Sequence, residues 1–249
     1  MRKTFTFWAV ICGLFAGTVS AQAPAKRTCA TEQAIAGIEA TDPGYKTRMN
    51  QNEAAISRFL NNPANRSRMA VTHTIPVVFH VVYNTTAQNI SNAMIQSQLD
   101  VLNRDFRRQN ADTSGTPGIF QGLGADTGIE FCLASVDPTG QPTTGITRTP
   151  TSVTAFGVNS GVKANATGGK DPWPRDQYLN IWVCNITSGI LGFATPPGAP
   201  AGSDGVVLLY RTVGEPPFNT FPGPFNKGRT ATHEVGHWLN LKHIWGDEP

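Results

Sequence analysis

Residues Thr230 to His243 read Thr-Ala-Thr-His-Glu-Val-Gly-His-Trp-Leu-Asn-Leu-Lys-His, and this run restricts the fold more than any other part of the chain. Positions four apart share one face of a helix, so His233 and His237 can aim imidazole nitrogens at a single point. A continued helix would turn His243 to another face, so the chain must leave the helix between His237 and His243. Asn240 stands where that exit is needed, and after Gly, Asn is the commonest residue in the left-handed conformation of a sharp helix exit. Three imidazoles then meet at one metal position. Zinc accepts such nitrogens at about 2.0–2.1 Å, and three protein ligands leave a fourth place open, which is the catalytic rather than the structural pattern. Glu234 follows the first ligand, where a carboxylate reaches a metal-bound water instead of the metal. The candidate site is therefore zinc on His233, His237 and His243, with Glu234 as general base. His73 and His80 lack any partner spacing and are read as structural.

The chain of 249 residues suits one sizeable domain plus an extra segment. Ile75–Tyr83 is an apolar run of the kind found in a strand covered on both faces. Ser91–Arg108 predicts an amphipathic helix, because Ile95, Leu99, Leu102 and Phe106 repeat at helical spacing. Ile129–Val136, Tyr178–Ile186 and Gly205–Tyr210 are predicted strands, and Pro/Gly-rich loops separate them. Strands alternating with helices predict an α/β sheet. Residues 22 to about 70 differ in texture: polar, helical around Tyr45–Leu60, then broken at Asn61-Asn62-Pro63.

Arg2 and Lys3 precede an apolar stretch from Phe5 to Val19 and small residues around Ser20 and Ala21. This is the pattern of a secretory signal peptide over residues 1–21, and the stretch is short for a bilayer span. Stable membrane insertion is not expected. Basic side chains number 20 and acidic ones 17, two of the basic ones being Arg2 and Lys3. That balance gives no basis for nucleic-acid binding. Cys12 leaves with the signal peptide. Cys29, Cys132 and Cys184 remain, in an oxidising compartment. Cys132 and Cys184 each fall in a predicted strand of the same sheet and are expected to form a disulfide; two free thiols are the alternative.

The Thr230–His243 run, together with His243-Ile244-Trp245-Gly246-Asp247, resembles the long zinc signature of the metzincin metallopeptidases, with Asn240 where most have Gly. Its flanks look like the pappalysin/cytophagalysin branch. Gly145-Ile146-Thr147-Arg148, Tyr178–Val183 and Asp204–Val207 look similar too. The resemblance implies a catalytic domain over 71–249, with a twisted, mixed five-stranded sheet whose edge strand binds extended peptide, Leu191–Ala194 being part of that rim. It also implies a lower half with a Met-containing turn and often calcium sites. The chain stops at Pro249, so the lower half is expected to be missing. The implied activity is a secreted, extracellular zinc endopeptidase acting on protein or peptide substrates. A thermolysin-like site fits less well, because Glu248 lies too close to the motif to be its third ligand. The alternative from another class is a catalytically inactive secreted binding protein on the same scaffold. It is disfavoured because Glu234 and all three His are retained. Arg27-Thr28-Cys29-Ala30-Thr31 resembles the Arg-x-Cys-Gly-Thr stretch of pappalysin-type prosegments. Ala30 stands where that stretch has Gly. Residues 22–70 are thus expected to form a prosegment whose Cys29 thiolate takes the fourth zinc position, with processing near Arg66 and Arg68; a structural disulfide from Cys29 to Cys132, Cys184 or a Cys beyond Pro249 is the alternative.

Overall fold

The computed structural model describes residues 28–65, 71–158 and 161–243. The expected signal peptide and the expected processing residues Arg66 and Arg68 lie outside the described residues.

Two helices come first, α1 (Thr31–Thr41) and α2 (Tyr45–Asn61). Strand β1 (His73–Tyr83) leads into α3 (Asn92–Phe106) and the one-turn helix α4 (Gly118–Gln121). Strands β2 (Ile129–Leu133), β3 (Ile146–Pro150), β4 (Leu179–Cys184), β5 (Gly192–Thr195) and β6 (Gly205–Leu209) follow, and α5 (Arg229–Trp238) closes the described fold. The predicted strands and both long catalytic-domain helices form where the apolar patterns put them. Helix α1 was not anticipated: of its residues only Thr31 and Ala34 are buried, too few to leave a helical period.

The sheet order is β2-β1-β4-β6-β5, with β3 also pairing with β1. All pairs are parallel except β5 with β6. The expected fifth position is shared. β2 pairs with His73–Val77 of β1 and β3 with Phe79–Tyr83, both on the edge away from β4. The sheet therefore has six strands across five positions.

Burial alternates along the strands. Val77, Phe79 and Val81, Leu179, Ile181 and Val183, and Val206 and Leu208 face a core completed by Ile95, Leu99, Leu102 and Phe106 of α3 and by Ala231 and Val235 of α5. Trp182, Cys184, Phe193 and Val207 face the other side, where Ala30 and Ala34 pack against them. Burying each such aliphatic or aromatic side chain contributes about 1.5–3 kcal/mol. Helix α3 starts sharply because the Ser91 hydroxyl accepts the Met94 N–H at 3.1 Å.

The expected Cys132–Cys184 disulfide is not formed. Cys132 lies level with Pro76 of β1, whereas Val183, next to Cys184, lies level with Val81. With β1 between them and a rise of about 3.3 Å per residue, the two are far beyond the roughly 7 Å Cα limit of a bridge. Cys132 is exposed, Cys184 is buried, and all three described cysteines are free thiols.

Candidate metal centre and its edge strand

Helix α5 presents His233, Glu234 and His237 towards the open edge of the sheet, and the exit from the helix returns His243 to them. Asn240 has φ 74°, the left-handed conformation expected for it. Asn240 N–H donates to His237 O and Leu241 N–H to Gly236 O, both at 2.9 Å. This is the paired bond pattern of a Schellman exit.

The exit also sets a tautomer. His237 Nδ1 lies 2.7 Å from the Leu241 carbonyl. A carbonyl only accepts, so Nδ1 carries the proton and Nε2 presents its lone pair towards the other two imidazoles, as a metal ligand would. His237 Nε2 lies 3.1 Å from His233 Nε2 and 3.2 Å from His243 Nε2. Tetrahedral ligands at zinc–nitrogen distances of ~2.05 Å would be about 3.3 Å apart. Cys29 Sγ belongs to the same group, in which all the ligand atoms lie within 4.8 Å of one another. Three imidazoles and a thiol are a donor set for zinc or a similar transition metal, so the residues present fit such an ion.

Glu234 is buried, 1% exposed, between the helix and β5. Gly192 makes this possible. A Cβ there would sit 2.9 Å from both Glu234 Cγ and Val207 O. Gly192 falls within the expected rim Leu191–Ala194, but its close approach to Glu234 was not read from the sequence, since an isolated Gly in a strand only hints at one.

The stretch Thr28–Thr31 lies along the free edge of β5. Leu191 N–H donates to Thr28 O at 3.0 Å, and Ala30 N–H to Gly192 O at 3.1 Å. Cys29 pairs with Gly192 in a parallel bridge. Thr31 Oγ1 accepts the Ala194 N–H at 2.9 Å and donates to Glu234 Oε2 at 3.1 Å. The Cys29 thiol donates to the same oxygen at 3.5 Å. Burial, with the Glu234 charge adding to it, pushes the Cys29 thiol up to about 12. A thiolate at this point requires a cation beside it. Beyond α1, Tyr45 donates to Pro196 O at 3.3 Å and Arg48 Nε to Gly198 O at 2.6 Å.

The helix base is held from behind. Gln98 of α3 donates to Gly228 O at 3.0 Å and accepts the Gly214 N–H at 2.8 Å. Thr232 donates to Asp105 at 2.6 Å, and Arg229 pairs with Asp105 and Asp112 at 3.3 and 2.8 Å. His80 takes no part. It is buried in the sheet, receiving Thr147 Oγ1 at Nδ1 (2.8 Å) and donating Nε2–H to Asn180 (3.0 Å). Burial pulls it down to about 4, so it stays neutral, as its structural reading implies. Among the described residues, no helix is long and apolar enough to cross a membrane.

A mixed sheet above a helix that gathers three imidazoles around a buried carboxylate has the make-up of a metallopeptidase catalytic domain. The chain belongs to the extracellular metalloprotease family. An extracellular metalloprotease of Verticillium alfalfae is 30% identical over 261 residues, covering 98% of this chain and 74% of that protein. One from Arthroderma benhamiae is 28% identical over 211 residues, covering 82% of this chain and 58% of that protein. The chain thus spans little more than half of some of its relatives. A Tannerella forsythia promirolysin mutant superposes with a TM-score of 0.77 and 46% identity, covering 89% of this chain and 71% of that one. Mature mirolysin in complex with a cleaved peptide gives 0.69 and 51%, covering 72% and 67%. No protein-family profile matches the chain.

Proposed function

We propose that this chain is the latent form of a secreted zinc endopeptidase of the pappalysin/cytophagalysin branch. Residues 1–21 are its signal peptide, 22–70 its prosegment, and 71–249 belong to its catalytic domain. His233, His237 and His243 hold the zinc, Glu234 is the general base, and Cys29 is the inhibitory fourth ligand. The observation that carries this reading is the convergence of three Nε2 atoms at 3.1 and 3.2 Å beside a buried glutamate. The relatives named extracellular metalloprotease and the peptide-bound mirolysin support it.

Zinc bound here would supply Lewis-acid polarisation of the scissile carbonyl and acidify a water molecule. Glu234 accepts that water's proton and hands it to the departing amine. Its side chain is locked between α5 and the edge strand, so the proton moves without reorientation. The free edge of β5 offers backbone N–H and C=O groups to an extended peptide, as it does to Thr28–Ala30. Latency follows from occupancy: the segment around Cys29 covers that edge, Cys29 fills the fourth ligand place beside the histidines, and Thr31 binds a Glu234 carboxylate oxygen. The acyl group needs no covalent attachment to a Ser or Cys.

The test uses the full-length protein after removal of its prosegment. It is expected to hydrolyse peptides, lose activity to a zinc chelator and regain it with zinc. Glu234→Ala is expected to keep one equivalent of zinc and lose turnover by several orders of magnitude. Undiminished hydrolysis by Glu234→Ala would remove the mechanism; zinc binding without any hydrolysis by the unsubstituted enzyme would favour the inactive binding protein.

A further inference from the structure

On the side of β5 away from the metal cluster lies a cavity of about 600 Å³. Phe193, Thr195 and Ser203 line it from the catalytic domain, and Ala34 and Ile38 of α1 close it. Lys163 points into it from a short 3-10 turn, Gly161–Lys163. Its ammonium donates to Thr195 Oγ1 at 3.0 Å and to Ser203 O at 2.5 Å. It also lies 5.2 Å from the ring centre of Trp182 and 5.7 Å from that of Phe193. An ammonium has three N–H donors, and these two bonds use two of them. Among the described residues no carboxylate forms an ion pair with it. Asp204 acts on it only through its field, and burial pulls it down to about 7.

A half-buried cation among aromatic rings, without a carboxylate, is costly to hold. It becomes useful if a ligand supplies the anion. The pleat of β5 specifies how one would arrive. Gly192 faces Glu234, while Phe193 and Thr195 face Lys163. Side chains of a peptide paired with the free edge of β5 alternate in the same way. The chain's own N-terminal stretch illustrates this: Cys29 joins the metal cluster, and the next residue, Ala30, packs with Phe193. Ala30 stops at Phe193, a wall of the cavity, and the short Ala34 lines it from α1. A longer side chain at the equivalent place of a bound peptide would run towards the ammonium.

We infer that Lys163, uncovered when residues 22–70 leave, is a specificity-determining residue that recognises an Asp or Glu side chain of the peptide paired with β5. The recognised residue belongs to the alternate set, not to the set facing the histidines. This rests on the peptidase reading for its context, but binding alone can test it.

The full-length Glu234→Ala protein, with its prosegment removed at a protease site engineered after Arg68, is immobilised. It is exposed to random hexapeptide pools in which Glu, Gln or Lys is fixed at each position in turn. At one position the Glu pool is expected to be retained roughly tenfold better than the Gln pool, the scale of a charge-assisted bond. Lys163→Met is expected to abolish that difference, and Lys163→Glu to reverse it in favour of the Lys pool. Equal retention of Glu and Gln pools at every position overturns the inference without reference to any variant. So does a Glu preference that survives Lys163→Met. Hydrolysis of the same pools by the enzyme with Glu234 intact is scored separately. A Glu preference without hydrolysis would leave the Lys163 subsite standing and remove the peptidase reading.

Discussion

Gly192→Ala is the smallest change that tests whether the edge strand and Glu234 are fitted to each other. The added methyl would meet Glu234 Cγ and Val207 O, both at 2.9 Å, and Thr230 Cγ2 at 3.2 Å. Comfortable carbon contacts begin near 3.5 Å, so two neighbours must yield by about half an ångström each. Val207 O is backbone in the buried strand β6 and cannot. The strain therefore falls on Glu234 and on α5. Overpacking of this size costs about 1–3 kcal/mol, and a displacement approaching 1 Å at a catalytic group costs on the order of 100-fold in rate. Zinc affinity is expected to change little, because none of the three histidines is among the nearest atoms the new methyl would meet. The assays are thermal denaturation of the full-length proenzyme, kcat/KM after activation, and zinc affinity by chelator competition. Stability within 0.5 kcal/mol of the parent together with unchanged kcat/KM would refute the reasoning. A loss of zinc in step with activity would show that the glycine serves the helix and not the glutamate.

Asn240→Ala places a Cβ in the left-handed region at φ 74° and is expected to weaken zinc binding several-fold, at about 1 kcal/mol; Asn240→Gly is expected to leave it intact, both read by chelator competition. His80 supplies a pH signature. Its folded value of about 4 lies below the ordinary value of 6.5, so below pH 6.5 the unfolded chain binds a proton that the folded one refuses. Stability is expected to fall by roughly 3 kcal/mol between pH 6.5 and 4 and to level off below that as far as this group is concerned. Chemical denaturation of His80→Gln across that window should show the slope removed. Thr31→Val deprives the buried Ala194 N–H of its acceptor and Glu234 of a donor. At about 1–3 kcal/mol of lost docking, activation is expected to quicken at least fivefold, with the activated enzyme's kcat/KM unaltered because Thr31 has been removed.

The convergence of the three imidazoles was legible because its geometry is local: a four-residue spacing, a forced helix exit and an Asn suited to it bring His233, His237 and His243 together without tertiary information. Strands buried on both faces, such as Ile75–Tyr83, were legible as continuous apolar runs. What was not legible depends on register. Cys132 and Cys184 both lie in strands, but only the pairing of each with β1 reveals that they sit at opposite ends of it. The same limit hid β3, whose run Ile146–Pro150 has just Ile146 as an aliphatic residue. Gly192 and Lys163 were invisible for a related reason. Each matters through what lies across from it, and a chain with no neighbouring sequence pattern does not name its opposite partner.

The edge of β5 unites these observations. An unpaired strand edge invites extended peptide, and folded proteins normally cover or blunt it. Here the cover is the chain's own stretch Thr28–Ala30, bonded through Leu191 and Gly192. On the proposed reading, inhibitor and substrate compete for the same hydrogen-bonding groups. The segment's advantage comes from contacts that a substrate lacks: Thr31 on Glu234, and Tyr45 and Arg48 clamping the carbonyls of Pro196 and Gly198. Those two clamps lie beyond the metal cluster along the chain, so they raise the effective concentration of Cys29 at the metal without contacting it. On this view a cut between the two helices, at Pro43 or Gly44, should release most of the inhibition although every residue touching the histidines stays in place.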